Sequence, residues 1–225
     1  MAASPAVVEL GRAERNKRAK RARLVRAART LFRRKGFHQT TTSEIAQLAD
    51  VGKGTLFFHA KTKEDLLVMV FQEEFGRTVV RAFATVPDAP LIDQLMHVFD
   101  VMIEQNRRDL ELARVFVKEL AFVTGDRNGI DAVMADLFGR MRALIERAQQ
   151  RGEIASSVDP ALLAYNLFAL YFSFLTIWLG SGARSPSPAN PSLRQMLELQ
   201  LLSVSGALAV PPRKRTRNQF ARLSK

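Results

Sequence analysis

Two capping boxes bracket the stretch TTTSEIAQLADVGKGTLFFHAKTKEDLL, residues 40–67, and this stretch constrains the chain more than any other feature. Thr41 and Glu44 have capping-box spacing, so a helix starts there. Ile45, Leu48 and Ala49 follow at i, i+3 and i+4, which gives that helix one apolar face. Asp50, Val51 and Gly52 interrupt the pattern, and Gly52 is a fair N-cap for a second short helix from Lys53 to His59. In that helix Leu56 faces inward and leaves Lys53, Thr55, Phe57 and Phe58 more exposed. Thr62 and Asp65 form the second box, and the apolar run from Leu66 to Phe71 comes after it. A short helix, a three-residue turn and a second short helix match helix-turn-helix anatomy, in which the second helix enters the major groove.

The rest of the chain reads as helices too. Residues 18–35 carry an apolar stripe of Ala22, Val25, Ala28, Leu31 and Phe32, with Arg and Lys around it, and Gly36 ends the helix. Residues 63 to about 85 read as one long helix linking the motif to the remainder. Further helices are expected over residues 91–106, 109–124 and 130–151. The most apolar one runs from Pro160 to Leu179 and is nearly long enough to span a membrane. Tyr165, Asn166, Ser173 and Thr176 interrupt it and no polybasic flank adjoins it, so it is read as a buried helix instead. SGARSPSPANP is a flexible Pro/Ser loop, and a last amphipathic helix runs from Pro191 to about Leu208. No repeat and no convincing strand is visible, which makes the fold class all-α with about nine helices.

Charge is concentrated at the two ends. The formal net charge is +12; residues 1–38 hold 12 basic residues against two acids, and residues 211–225 hold six basic residues and no acid. The span between them is therefore net acidic. Cations next to a helix-turn-helix suit phosphate neutralisation, whereas the C-terminal run reads equally as a solvated tail. Residues 1–17 lack apolar periodicity and read as a basic disordered arm without the apolar core of a signal peptide. With no Cys there is no disulfide framework and no thiolate site, which fits a cytoplasmic chain.

The inventory for catalysis is thin. His38, His59 and His97 are scattered, and none has a carboxylate or His partner at metal-ligand spacing on one helix face. Gly52 and Gly54 do not make a phosphate-binding loop, because no strand precedes them and the third Gly is missing. The expectation is a non-enzyme with no metal and no cofactor.

Residues 18–78 resemble the DNA-binding part of TetR-type transcriptional regulators. The resemblance rests on the Thr pair before the first helix of the motif and on Ile45-Ala46 within it. It rests also on Lys53-Gly54-Thr55-Leu56, His59, the Lys61–Leu66 start of the next helix, and LVRAARTLFRRKGF upstream. Phe57 stands where the family commonly has Tyr, and Ala60 where it commonly has a core Phe. The resemblance implies phosphate contacts from Thr41, Thr42, His59 and Lys63. Helix geometry adds the outer face of the recognition helix: Lys53, Gly54, Thr55, Phe57 and Phe58. Thr55 can touch a base edge, while the two phenylalanines make only apolar contacts. Core packing is the other reading of Phe58, and a solvated first-turn lysine the other reading of Lys63.

The resemblance also implies a homodimer through the last two long helices, here Pro160 to Leu179 and Pro191 to Leu208, on a palindromic operator in double-stranded DNA. It further implies an effector cavity in the middle helices. Lining candidates are Phe99, Met102, Ile103, Phe116, Leu120, Phe122, Met134, Phe138, Met141, Phe168, Tyr171, Phe172 and Trp178, each of which also reads as plain core. Few charges fall on those faces, so the ligand is expected to be apolar or aromatic. The domains expected are a basic arm over 1–17 and a DNA-binding domain over 18–78 with its motif at 41–60. An effector and dimerisation domain over 79–210 and a basic tail over 211–225 complete the chain. The function expected is a ligand-responsive repressor; a ligand-independent architectural DNA-binding protein, a transcriptional activator and a helical carrier of apolar ligands are the alternatives.

Overall fold

The computed structural model describes residues 11–120, 130–187 and 190–205. Among these residues the chain forms nine helices and no strand, with one isolated antiparallel bridge between Ile154 and Ser205. The first helix, α1, is Arg12–Lys35. It starts at Arg12 and not at Arg18, so residues 12–17 of the expected arm are helical. Apolar periodicity is not needed there: Ala, Arg, Lys and Glu are good helix formers, and Glu14 pairs with Arg18 one turn on at 3.4 Å. The buried face of α1 is Leu24, Val25, Ala27, Ala28, Leu31 and Phe32, while Ala22 is exposed. Gly36 ends the helix at φ 79°, a left-handed conformation that glycine adopts without strain.

Helices α2 (Thr42–Leu48) and α3 (Lys53–His59) form the helix-turn-helix. The first capping box closes in both directions: the Thr41 side chain accepts from the Glu44 N–H, and the Glu44 carboxylate accepts from the Thr41 N–H. Asp50 takes the left-handed conformation at φ 50° in the turn, a role Asp tolerates better than most residues. The second box, Thr62 with Asp65, opens α4 (Lys63–Ala84). Helix α5 (Leu91–Arg107) begins after the Pro-rich break, and its first N–H donates to the Glu153 carboxylate at 2.6 Å.

Helix α6 is Leu110–Leu120 and α7 is Ile130–Gln150; the expected continuation of α6 beyond Leu120 lies outside the described residues. Helix α8 is Pro160–Gly180, with Asp159 as its N-cap and Pro160 in its first turn. Helix α9 is Leu193–Ser203, set by a third capping box of Ser192 and Gln195 and not by Pro191. It ends at Ser203 with Val204 as C-cap, short of the expected end near Leu208, because Ser205 leaves the helix to pair with Ile154; the basic tail lies outside the described residues. The loop after α8 is tied down where it starts: the Arg114 guanidinium donates to the carbonyls of Leu179, Gly182 and Ala183. A cation placed there also satisfies the carbonyl end of α8.

Two apolar cores divide along α4. Leu66, Leu67, Met69 and Val70, on its first half, pack with α1, α2 and Leu56 of α3; Val79 and Ala82, on its second half, belong to the core of α5, α7 and α8. Leu112 of α6 is buried in the first core, so α6 bridges the two. Burying one such Leu or Phe is worth about 1.5–3 kcal/mol. Helix α8 is long and apolar enough to cross a membrane by length and composition. Here Leu163, Leu167, Tyr171, Leu175 and Leu179, spaced by four, are in the core, while Leu162, Tyr165 and Ile177 are exposed on the opposite side.

Candidate DNA interface and ligand cavity

Helix α3 is seated by a single buried side chain, Leu56, at 1% exposure. That one anchor fixes which face turns outward. Lys53 and Gly54 are exposed, Thr55 is half-buried, and Phe57 and Phe58 are 43% and 68% exposed. Phe58 therefore does not pack in the core. Ala60 is buried in the first core without it, at 3% exposure. A β-carbon built on Gly54 would meet no atom within 4 Å, so the outer surface of α3 is open at that point.

The basic run at the start of α1 lies beside the end of α3. The Lys17 ammonium sits 5.8 Å from the centroid of the Phe58 ring. His59 is half-buried, and its pKa is lowered from the ordinary 6.5 first by burial and then by the positive charges of Arg21, Lys17 and Lys20. Sequence reasoning did not place Lys17 and Lys20 at this edge, although the charge run was visible. At the start of α2, Thr41 is exposed and Thr42 half-buried. The Thr41 hydroxyl is engaged with Glu44, whose pKa is held down to about 2, chiefly by a hydrogen bond from Lys35 and also by Thr41. Lys35 thereby offsets a carboxylate that would otherwise repel a phosphate at this helix end.

Lys63 is turned inward. Its ammonium donates to the carbonyl oxygens of Phe37 at 2.9 Å and His38 at 3.3 Å, and lies 4.4 Å from the centroid of the Phe37 ring. It thus pins the start of α4 to the turn after α1. Two of its three N–H donors are used within the protein, a role that neither a phosphate contact nor a solvated lysine anticipates.

In the second half of the molecule an apolar cavity of about 240 Å³ lies between α4, α6, α7 and α8. Of the candidates, Phe116, Met134, Phe168, Tyr171 and Phe172 line it. Phe99, Met102, Met141 and Trp178 are buried core instead, and Phe99 stacks on Tyr171 at 4.6 Å. Ile103 and Phe138 pack around that core, with Phe138 stacked on Tyr165 at 4.2 Å. The side chain of Leu120, and Phe122 altogether, lie outside the described residues. Phe71 and Phe75 of α4, Val117, Ile130 and Leu175 also line the cavity beyond those candidates, so α4 is part of the cavity wall as well as a link. The polar groups on its wall are Asn106 and the Tyr171 hydroxyl, which bond to each other; burial raises the Tyr171 pKa well above its usual value.

Comparison with known proteins agrees with this geometry. Residues 24–70, from α1 to the first turns of α4, match the profile described as "Bacterial regulatory proteins, tetR family". The chain is 26% identical over 167 residues to the fatty acid metabolism regulator protein of Bacillus subtilis, covering 73% of this chain and 86% of that one. Among solved structures it is similar to Thermus thermophilus FadR, a TetR-family transcriptional repressor in complex with lauroyl-CoA. That match has 25% identity and a TM-score of 0.61 over 88% of this chain and 100% of the other. It is likewise similar to FadR from Bacillus subtilis in complex with stearoyl-CoA, at 25% identity and TM-score 0.58 over 82% and 98%. Residues 24–70 thus carry the DNA-binding helix-turn-helix of the tetR family of bacterial regulatory proteins, and most of the chain is similar to regulators of that family.

Proposed function

We propose that this protein is a ligand-responsive transcriptional repressor that works in the cytoplasm as a homodimer on a palindromic operator. The observation that carries the reading is the outer face of α3, with Lys53, Gly54, Thr55, Phe57 and Phe58 beside the cations of α1. Base edges are read from that face, and Thr42, His59, Lys17 and Lys20 grip phosphates around it. The exposed apolar side of α8, with Leu162, Tyr165 and Ile177, and of α9, with Leu199 and Leu202, forms the dimer interface. Two heads then span half-sites about one helical turn apart.

The effector is a molecule with a fatty acyl chain. The 240 Å³ cavity, walled by phenylalanines with one Asn–Tyr pair, supports this, as do the lauroyl-CoA and stearoyl-CoA held by the two FadR relatives. Filling the cavity displaces α4, respaces the two heads and releases the operator. The test is to select bound fragments from the genomic DNA of the source bacterium and follow their release by fluorescence anisotropy. A common palindrome, released by a fatty acyl compound, is the expected result. Equal affinity for selected and random DNA would overturn the reading.

A further inference from the structure

The apolar cavity is one of three hollows that lie end to end along α4. It shares Phe71, Phe75 and Asn106 with a neck of about 20 Å³. The neck shares Glu74, Thr78, Gln105 and Asp109 with an open cleft of about 720 Å³. Helix α1, helix α4 and the end of α5 form the cleft walls, and Arg29, Arg33, Arg77, Arg81 and Arg108 line it. Against these five cations stand two carboxylates, Glu74 and Asp109, so the wall is net positive. Glu73 at the rim, 2.6 Å from Arg29 and 3.8 Å from Arg77, does not cancel the excess. Among the described residues Arg81 and Arg108 have no ion-pair partner within 4.0 Å, and both are exposed.

An apolar chamber joined to an arginine cleft has the shape of an amphiphile. We infer that the two are halves of one effector site, with the acyl chain in the cavity and a polyanionic, phosphorylated head against Arg77, Arg81 and Arg108. Guanidinium groups bind phosphate oxygens through paired N–H donors, and several of them on one wall suit a head bearing several phosphates. This rests on the effector reading above and adds where the head binds and how the signal leaves the site.

The neck supplies the coupling. At about 20 Å³ it has room for about one water molecule, so an acyl chain passes from the cleft into the cavity only when the neck widens. Widening parts Phe71 and Phe75 of α4 from Asn106 and Leu112. Those α4 residues follow directly on Leu66, Leu67, Met69 and Val70 in the core of the DNA-binding head, so the head moves with them. The cleft acts on the same joint. Arg29 and Arg33 of α1 are held by Glu74 at 2.9 and 3.4 Å, and Arg33 by Asp109 at 3.6 Å. A phosphorylated head competes with those carboxylates and loosens α1 from α4 and from the α5–α6 corner.

Calorimetry on the full-length protein tests this, with lauroyl-CoA as the complete probe and dodecanol as a neutral chain alone. In the double variant Arg81→Gln/Arg108→Gln, lauroyl-CoA affinity is expected to fall by about tenfold per arginine, the scale of a hydrogen bond to a charged group. Dodecanol affinity and the thermal midpoint should not change, and the salt dependence of lauroyl-CoA binding should flatten. Undiminished lauroyl-CoA affinity in the variant would overturn the head assignment and leave the acyl effector standing. An equal loss for dodecanol would overturn it too, as a change in fold. If the unaltered protein binds dodecanol but not lauroyl-CoA, the two-part site is wrong; if it binds neither, the acyl effector reading fails with it.

Discussion

Gly54 sits inside α3, where glycine costs helix stability, yet no atom lies near the place of a β-carbon. The fold does not ask for glycine there; close approach of the backbone to DNA in the proposed complex would. Gly54→Ala should raise stability by about 0.5–1 kcal/mol in denaturant unfolding and weaken operator binding. Operator affinity that holds while stability rises would remove the N-terminal half of α3 from the groove. Lys63 divides the other way. Lys63→Met keeps the stem and leaves the Phe37 and His38 carbonyls without their donor, so it should cost about 1–2 kcal/mol. The salt slope of DNA binding should stay the same, and a slope smaller by about one per subunit would return Lys63 to the phosphate contacts. His59 gives a pH dependence. Burial and the cations of α1 lower its pKa in the free protein, and a DNA phosphate would raise it. A group whose pKa rises on binding adds affinity at low pH and loses that contribution as pH rises through the bound-state value. Operator affinity at fixed salt should therefore be tighter at about pH 6 than at about pH 8, and His59→Gln should flatten the difference. Anisotropy at the two pH values decides it.

At the scale of elements, α8 shows why a wholly apolar helix needs two partners. One side is in the core through Leu163, Leu167, Tyr171, Leu175 and Leu179. The other side leaves Leu162, Tyr165 and Ile177 uncovered, and α9 adds Leu199 at 72% and Leu202 at 61% exposure, the apolar surface that the proposed dimer would cover. Leu175 is a poor probe of that interface, since it is 5% exposed within the protomer and lines the cavity. Leu162→Glu with Ile177→Glu is the better one, because both side chains are outside the protomer core. The variant should scatter light as a monomer, keep its helical circular dichroism and lose most of its operator affinity. A dimer of unchanged mass would place the interface elsewhere.

For the whole molecule the decisive fact is that α4 belongs to two cores at once, with Leu66, Leu67, Met69 and Val70 in one and Val79 and Ala82 in the other. Phe71 stands where they meet, stacked on Phe116 of α6 at 4.1 Å, and both rings line the cavity. A ligand there presses on the joint between the head and the rest. Filling the cavity from the protein side should block the signal without touching the head. Val117→Phe is expected to abolish release by lauroyl-CoA while operator affinity in its absence stays within about twofold, since distant sites contribute independently. Normal release from that variant would show that the effector acts through another part of the molecule.

The sequence by itself determined what depends on neighbours three or four residues apart. The capping boxes of Thr41 with Glu44 and Thr62 with Asp65, the turn at Asp50, and the bounds of α3 are local bonds, and local bonds are legible. The box of Ser192 with Gln195 is equally local, and it sets the start of α9 in place of Pro191. The outward face of α3 followed from one apolar residue, Leu56. What only the tertiary structure decided involves partners far along the chain. Lys63 binds carbonyls 25 and 26 residues away, and Arg114 reaches a loop 65 to 69 residues on. Phe71 and Phe75 joined the cavity, and Phe99 and Met141 left it, because helix crossings choose which of many equivalent apolar side chains border a void. The arginine cleft is drawn from three helices, each of whose charges reads alone as a solvated face; only packing brings them to one wall.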